Sequence, residues 1–410
     1  MRPPFRSLTA RLTPMLGALR SSSARGGALP VAAAPTVPSV EIPITVFTED
    51  EIQRTRYFAQ GQFLARQDNW AELGRLIRTC DSQRLRTPGG QPVADIIADG
   101  ARADAVESAA DAVRRGDVRA AHAPIDALED VLAELSEDHG VALVVARAHL
   151  DIGGVWHGDG PTDAVPAARK SAFLGHFRAA ARIIDRFDPF ACDAPSLAQA
   201  RCALLPADPR PNRRVSDDFE DLIDLDPHAA GNLRAFGRNL LPRAFGTYEA
   251  LDSEARRTAA RTCDVWGVGG YVWVQMDALA LDPMAFRRLD AELFVEGLHD
   301  ILDVCPDQHT ANLFAAYTGL TLTGNAAPGS ARQRLAQCFD WIVRDHLREI
   351  HPMIWATSAT AANPARVKGA EDGVRRGQVR ALSALAEHFA AEIATGSRIC
   401  FGSDGFQITS

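Results

Sequence analysis

VRRGDVRA at 113–120 and VRRGQVRA at 374–381 are nearly the same octapeptide, far apart in one chain. Each reads as the end of one helix, a tight turn at Gly116 or Gly377, and the start of the next. The segment from Asp68 to Cys80 has the same layout, with Asp68 at the turn. After each turn, apolar or small residues recur at offsets of three, four and three. They are Trp70, Leu73, Ile77 and Cys80, then Val118, Ala121, Ile125 and Leu128, then Val379, Leu382, Ala386 and Phe389. That spacing sets four residues on one helix face, which would pack on the helix before the turn.

The preceding helices share a layout too. Tyr57, Gly61 and Leu64 form a large, small and apolar series, repeated by Leu233, Gly237 and Leu240. Leu313, Tyr317 and Leu320 make a poorer copy, with Tyr317 at the small position. A glycine there lets two helices approach closely. Helical periodicity begins near Glu49, and only Glu41–Phe47 and Ile399–Thr409 read as extended. Asp188-Pro189, Asp226-Pro227 and Asp282-Pro283 each set an Asp before a Pro that needs no partner for an N–H, a helix-start signal. The expected fold class is all-α.

These pieces resemble tetratricopeptide repeats, paired antiparallel helices stacked in an array. The resemblance rests on Leu225-Asp226-Pro227, Leu233, Phe236-Gly237 and Leu240, with Ala280–Pro283 and Arg186–Pro189 as further repeat endings. Pro242 interrupts the best copy, and Pro189, Pro227 and Pro283 do not fall on one period. The expectation is an irregular array of helical hairpins, with a non-repetitive helical bundle as the alternative. The resemblance implies a scaffold whose first helices line a groove for a peptide or protein partner. Arg56, Gln60, Asn232, Arg234, Asn239, Asn312 and Tyr317 lie on such helices; Asn and Arg suit main-chain and carboxylate recognition.

The 410 residues carry a net charge of −8, which argues against a nucleic-acid partner. No apolar run approaches the roughly 18 residues that span a bilayer. Only Lys170 and Lys368 are lysines, so an isolated arginine says little about anion binding. The seven cysteines are scattered, with no C-x-x-C pair, which disfavours a disulfide framework or zinc knuckle. Residues 1–40 hold five arginines and no acid, so they read as a disordered tail or as an organellar transit peptide. The expected location is cytoplasmic, or organellar on the second reading. Helical blocks are expected at 41–204 and 216–410, with the Pro- and Arg-rich stretch 205–215 as a linker or loop.

Chemistry-bearing clusters are sparse. Residues 153–160 set Trp156, His157 and Asp159 on what reads as a glycine-rich loop, where His157 and Asp159 are weak catalytic candidates. They centre the rival hypothesis, an enzyme of unknown reaction with a dispersed site. The structural alternative there is a glycine cap with Trp156 tucked beneath it. His346 and Glu349, three apart, are weak metal candidates, and Pro352 should end their helix. Gly267–Gly270 lacks every companion of a phosphate loop and reads as close helix packing. No cofactor is expected.

Overall fold

The computed structural model describes residues 39–158, 165–324, 326–358, 369–403 and 405–409. Among them helix dominates, in keeping with the all-α expectation. The chain divides into two compact units. Phe47–Cys305 forms one; the chain from Pro306 onward, with the segment ending at Val46, forms the other.

The first unit contains α1 (Glu49–Arg66), α2 (Trp70–Ser82), α3 (Val93–Arg115), α4 (Val118–Glu134), α5 (His139–His157), α6 (Ala167–Ile184) and α7 (Pro195–Cys202). It continues with α8 (Val215–Leu225), α9 (Ala230–Asn239), α10 (Tyr248–Arg261), α11 (Cys263–Trp266), α12 (Gly269–Leu281) and α13 (Ala291–Val304). Thr48 and Glu51 close a reciprocal capping box on α1. Two of the three expected turns are present: Asp68 has φ 55°, and Gly116 caps α3 at φ 75° before Asp117 caps α4.

Glycines set the closest helix contacts. A Cβ on Gly61 would run into the Ile97 carbonyl of α3, and one on Gly237 into the Val274 carbonyl of α12. The close approach expected at both positions is therefore present. Gly269 and Gly270 play the same role where α12 meets α13 and α10. Helix α5 is apolar nearly all round because α2, α3, α4, α6 and α7 all pack on it.

The stretch 205–215 lies inside this unit. It forms two short 3-10 turns, Leu205–Ala207 and Pro211–Arg213, with Leu205 buried and Arg214 paired to Asp208 and Asp218. The acidic run that follows is neutralised in place. Glu220 meets Arg257 and Arg261, Asp224 meets Arg261, and Asp226 meets Arg86. Of the three Asp-Pro starts, only Asp282 caps a helical turn, Pro283–Arg287; Asp188 heads a non-helical turn, and Asp226 ends α8.

The second unit contains β1 (Val40–Glu41), α14 (Gln308–Ala316), α15 (Ala331–Ala336), α16 (Cys338–Trp341), α17 (Pro352–Thr357), α18 (Ala370–His388), α19 (Ala390–Ala394), β2 (Arg398–Gly402) and β3 (Gly405–Thr409). The extended candidate Ile399–Thr409 forms most of the β2–β3 hairpin, whereas of Glu41–Phe47 only Glu41 joins the sheet, in β1, which runs parallel to β2 with Val40 opposite Ile399; Ile44 makes an isolated bridge to Ile350. Phe389 packs against Phe401 of β2 and Phe406 of β3, and the Arg344 guanidinium lies 4.8 Å from the Phe389 ring centre.

The third expected turn is corrected here. Gly377 sits inside α18, which runs unbroken through the second octapeptide; its missing side chain admits the Pro352 carbonyl of α17. None of the seven cysteines is in a disulfide, and among the described residues no helix is long and apolar enough to cross a membrane.

Candidate functional site

Helices α4 and α6 both lie on α5 and run the same way. His122 stacks on His176 near one end, and Arg186 donates to the Ser136 carbonyl near the other. From His122 to the end of α4 at Glu134 the helix spans about 18 Å. The groove between α4 and α6 is an open surface trough of about 310 Å3 lined by Glu129, Leu132, Ala133, Ser136, Ala179, Arg182, Ile183 and Arg186. Helical spacing explains most of the lining, because 129, 132 and 133 share one face of α4, as 179, 182 and 183 do of α6; Ser136 and Arg186 stand in the turns just past the two helix ends. Arg182 is exposed and has no carboxylate partner among the described residues.

Next to Glu129, a chain of hydrogen bonds enters the core. His149 Nε2 lies 3.0 Å from Glu129 Oε1, and His149 Nδ1 lies 3.0 Å from His176 Nδ1. Both histidines are buried. Burial, then the Arg182 charge, pushes His149 down to about 4; burial, then His149 itself, does the same to His176. Both are therefore neutral at pH 7. The carboxylate fixes the proton of His149 on Nε2, so His149 Nδ1 accepts and His176 Nδ1–H donates. His176 Nε2 is left a buried lone pair with no partner.

A second polar cluster lies on the opposite side of α5. Arg147 pairs with Asp95 at 2.8 Å and also donates to Gln199, whose amide donates to Asn232 at 3.1 Å. Asp81 accepts from the Ser196 backbone N–H at 3.2 Å and from its hydroxyl. Burial raises the Asp95 carboxyl, with Arg147 opposing, and lifts Asp81 to about 6. The crevice among these groups leaves about 10 Å3, room for about one water. It is a bonded core with no space for a ligand.

The sequence candidates do not come together. Arg56 and Gln60 are exposed on α1, on a face shared with exposed Ile52 and Phe63. Asn232 is buried in the polar cluster just described. Arg234 and Arg238 bracket Asp277; burial would raise that carboxyl, but the two guanidiniums hold it below its usual range. Asn239 bonds the Ala235 carbonyl of its own helix. Asn312 is fully buried, donating to the Gln308 and Glu349 carbonyls and accepting from the His351 N–H and the Trp355 indole. Tyr317 is buried at the start of a π-helical turn, Tyr317–Thr321.

Two expectations are corrected. Gly153 to His157 are the last turn of α5, not a loop; His157 is buried against Phe173, its Nδ1 3.0 Å from the Gly158 carbonyl. Asp159 lies outside the described residues. His346 and Glu349 share no helix, because a π-helical turn ends at His346 and the chain leaves it extended. Glu349 instead accepts from Thr45 at 2.7 Å and lies 2.9 Å from His351 Nε2. Among the described residues, no group of three His, Cys, Asp or Glu is placed to hold a metal.

Sequence reading missed His122, Glu129, His149, His176 and Arg182. His122 and Glu129 are seven apart on α4, but no local signal joins them to α5 or α6. Among known proteins, no family, no curated protein and no solved structure matches this chain.

Proposed function

We propose that the chain is a non-catalytic scaffold that binds a protein or peptide segment along the α4–α6 groove. The observation that carries this reading is the lining itself. Leu132, Ala133, Ala179 and Ile183 give apolar contact, and Arg182 offers a guanidinium that has no carboxylate partner among the described residues. An occupant with aliphatic side chains and one acidic residue satisfies both, since a carboxylate takes two parallel N–H bonds from arginine.

Selection of displayed random peptides on the full chain tests this reading. Enriched peptides should combine aliphatic and acidic positions. They should bind Arg182→Glu and Ala133→Trp at least tenfold more weakly, the first by charge and the second by filling the groove. No enrichment, or binding indifferent to both substitutions, would overturn the proposal.

A further inference from the structure

Helix α1 has two faces. On one, Tyr57, Gly61 and Leu64 pack into the first unit. A Cβ on Gly61 would strike the Ile97 carbonyl there, and one on Gly100 the Phe58 carbonyl, so α3 closes this face. On the opposite side Glu49, Ile52, Arg56, Ala59, Phe63 and Arg66 are all exposed. Ile52 keeps 50% of its surface in solvent and Phe63 keeps 60%.

Single apolar residues scattered on a surface need no explanation. These six are not scattered. Their spacing is three, four, three, four and three, the heptad seam by which one helix faces another. Ile52 and Phe63 fall on it three turns apart.

The order of residues along the seam says what fits it. Set antiparallel to itself about a two-fold axis between residues 57 and 58, α1 matches its own stripe. Ile52 meets Phe63 of the copy, Glu49 meets Arg66, and Arg56 meets Ala59. The two-fold writes each layer twice, so two apolar layers are closed at each end by opposite charges. Set parallel, the same stripe puts Glu49 on Glu49, Arg56 on Arg56 and Arg66 on Arg66, three layers of like charge.

The end charges are placed for this. Arg66 holds Asp104 at 2.6 and 2.9 Å through Nε and Nη2, and its Nη1 takes no part in that pair. Glu49 accepts from Gln53 at 2.8 Å through Oε1, and Oε2 takes no part. At the centre, the Arg56 stem covers Ala59 of the copy and carries its charge out to water. The two Arg56 guanidiniums then stand near the axis and oppose the pairing.

We propose that α1 pairs through this seam with α1 of a second copy of the chain, antiparallel. The seam lies on α1 alone, so the inference does not depend on the α4–α6 groove. The helix has 18 residues and is about 27 Å long. One such helix pair is at the small end of protein interfaces, so the dimer is weak, with a dissociation constant of about 10–100 µM.

Sedimentation equilibrium on the full chain from about 5 to 300 µM tests this range. The average mass should climb reversibly from monomer toward dimer. Ile52→Glu and Phe63→Glu each set a carboxylate into two apolar layers and should weaken the dimer about tenfold or more. Arg56→Leu removes the opposed charges and adds an apolar centre, so it should tighten the dimer about fivefold or more. All three positions are exposed, so helical circular dichroism should be unchanged. Direction is read by cross-linking. An oxidised mixture of Arg56→Cys and Ala59→Cys proteins should give more 56–59 linkage than 56–56 or 59–59, mapped by peptide mass spectrometry. A chain that stays monomeric throughout would overturn the proposal and leave the seam to a helix of another protein. A dimer indifferent to Ile52→Glu and Phe63→Glu, or one in which like-numbered linkages dominate, would overturn it as well.

Discussion

Asp81 is a carboxylate placed where the solvent cannot help it. Burial raises it to about 6; the nearby Asp95 charge adds to the rise, while Ser196 and Arg147 oppose it. A carboxyl that sits near 6 when folded and at 3.8 when unfolded holds its proton more tightly in the folded chain. Its contribution is favourable below about pH 3.8, fades as pH rises toward 6, and is a net cost above that. Asp81→Asn removes the charge and retains an oxygen for the Ser196 N–H. It should therefore raise stability at pH 7.5 by about 1–2 kcal/mol relative to its effect at pH 4. Urea unfolding of both proteins at the two pH values measures this, and the histidine contribution cancels in the difference. An equal effect at both values would show that Asp81 stays charged when folded. Nothing in the local sequence marks Asp81, because its environment comes from Ser196, more than a hundred residues away.

At the scale of an element, the two octapeptides differ in one residue, and that residue sets two backbones apart. In the first copy Gly116 is followed by Asp117, whose short carboxylate accepts from the Ala120 N–H at 3.0 Å and starts α4. In the second, Gly377 is followed by Gln378, whose longer amide is a poor cap, and α18 continues. A sequence pattern sees a glycine in both. A turn needs glycine for its positive φ, and a close helix pair needs it for its missing Cβ, so the residue alone does not say which. The small positions at Gly61 and Gly237 were legible because helical periodicity continues on both sides of them. The same ambiguity gives a test. Gly237→Ala pushes a methyl into the Val274 carbonyl and Gly377→Ala into that of Pro352, and each should cost about 3 kcal/mol. Gly116 has open space around it, so Gly116→Ala pays only for its left-handed backbone, about 1 kcal/mol. Urea midpoints of the three variants rank these costs. A Gly116→Ala variant as unstable as the other two would contradict the packing account.

Across the whole molecule, the helical class was legible from period and caps, whereas the division into units was not. The prolines and arginines at 205–215 read as a linker or loop; Pro206 and Pro211 each sit in a 3-10 turn, and Arg214 is paired within the unit. The observed division at Cys305 and Pro306 carries only one proline, and its meaning lies in which segments close each core. The first unit is continuous from Phe47, and its last helix is tied in by Asp300, which accepts from the Val268 N–H at 2.7 Å. The second unit is discontinuous in sequence. Its sheet takes β1 from before Phe47, and Thr45 bonds both the Ile350 carbonyl and Glu349. Continuity predicts an asymmetry. Residues 47–305 expressed alone should unfold in one cooperative thermal transition with full helical circular dichroism, because the helices α1 to α13 and the Thr48 cap of α1 all lie within that segment. Residues 306–410 alone should lack that cooperativity, since β2 loses its parallel neighbour and an edge strand with an open ladder is left exposed. Fusing residues 39–46 back by a flexible linker should restore it. A cooperative 306–410 fragment would show that β1 is dispensable, and a molten 47–305 fragment would show that the first unit does not close its core by itself.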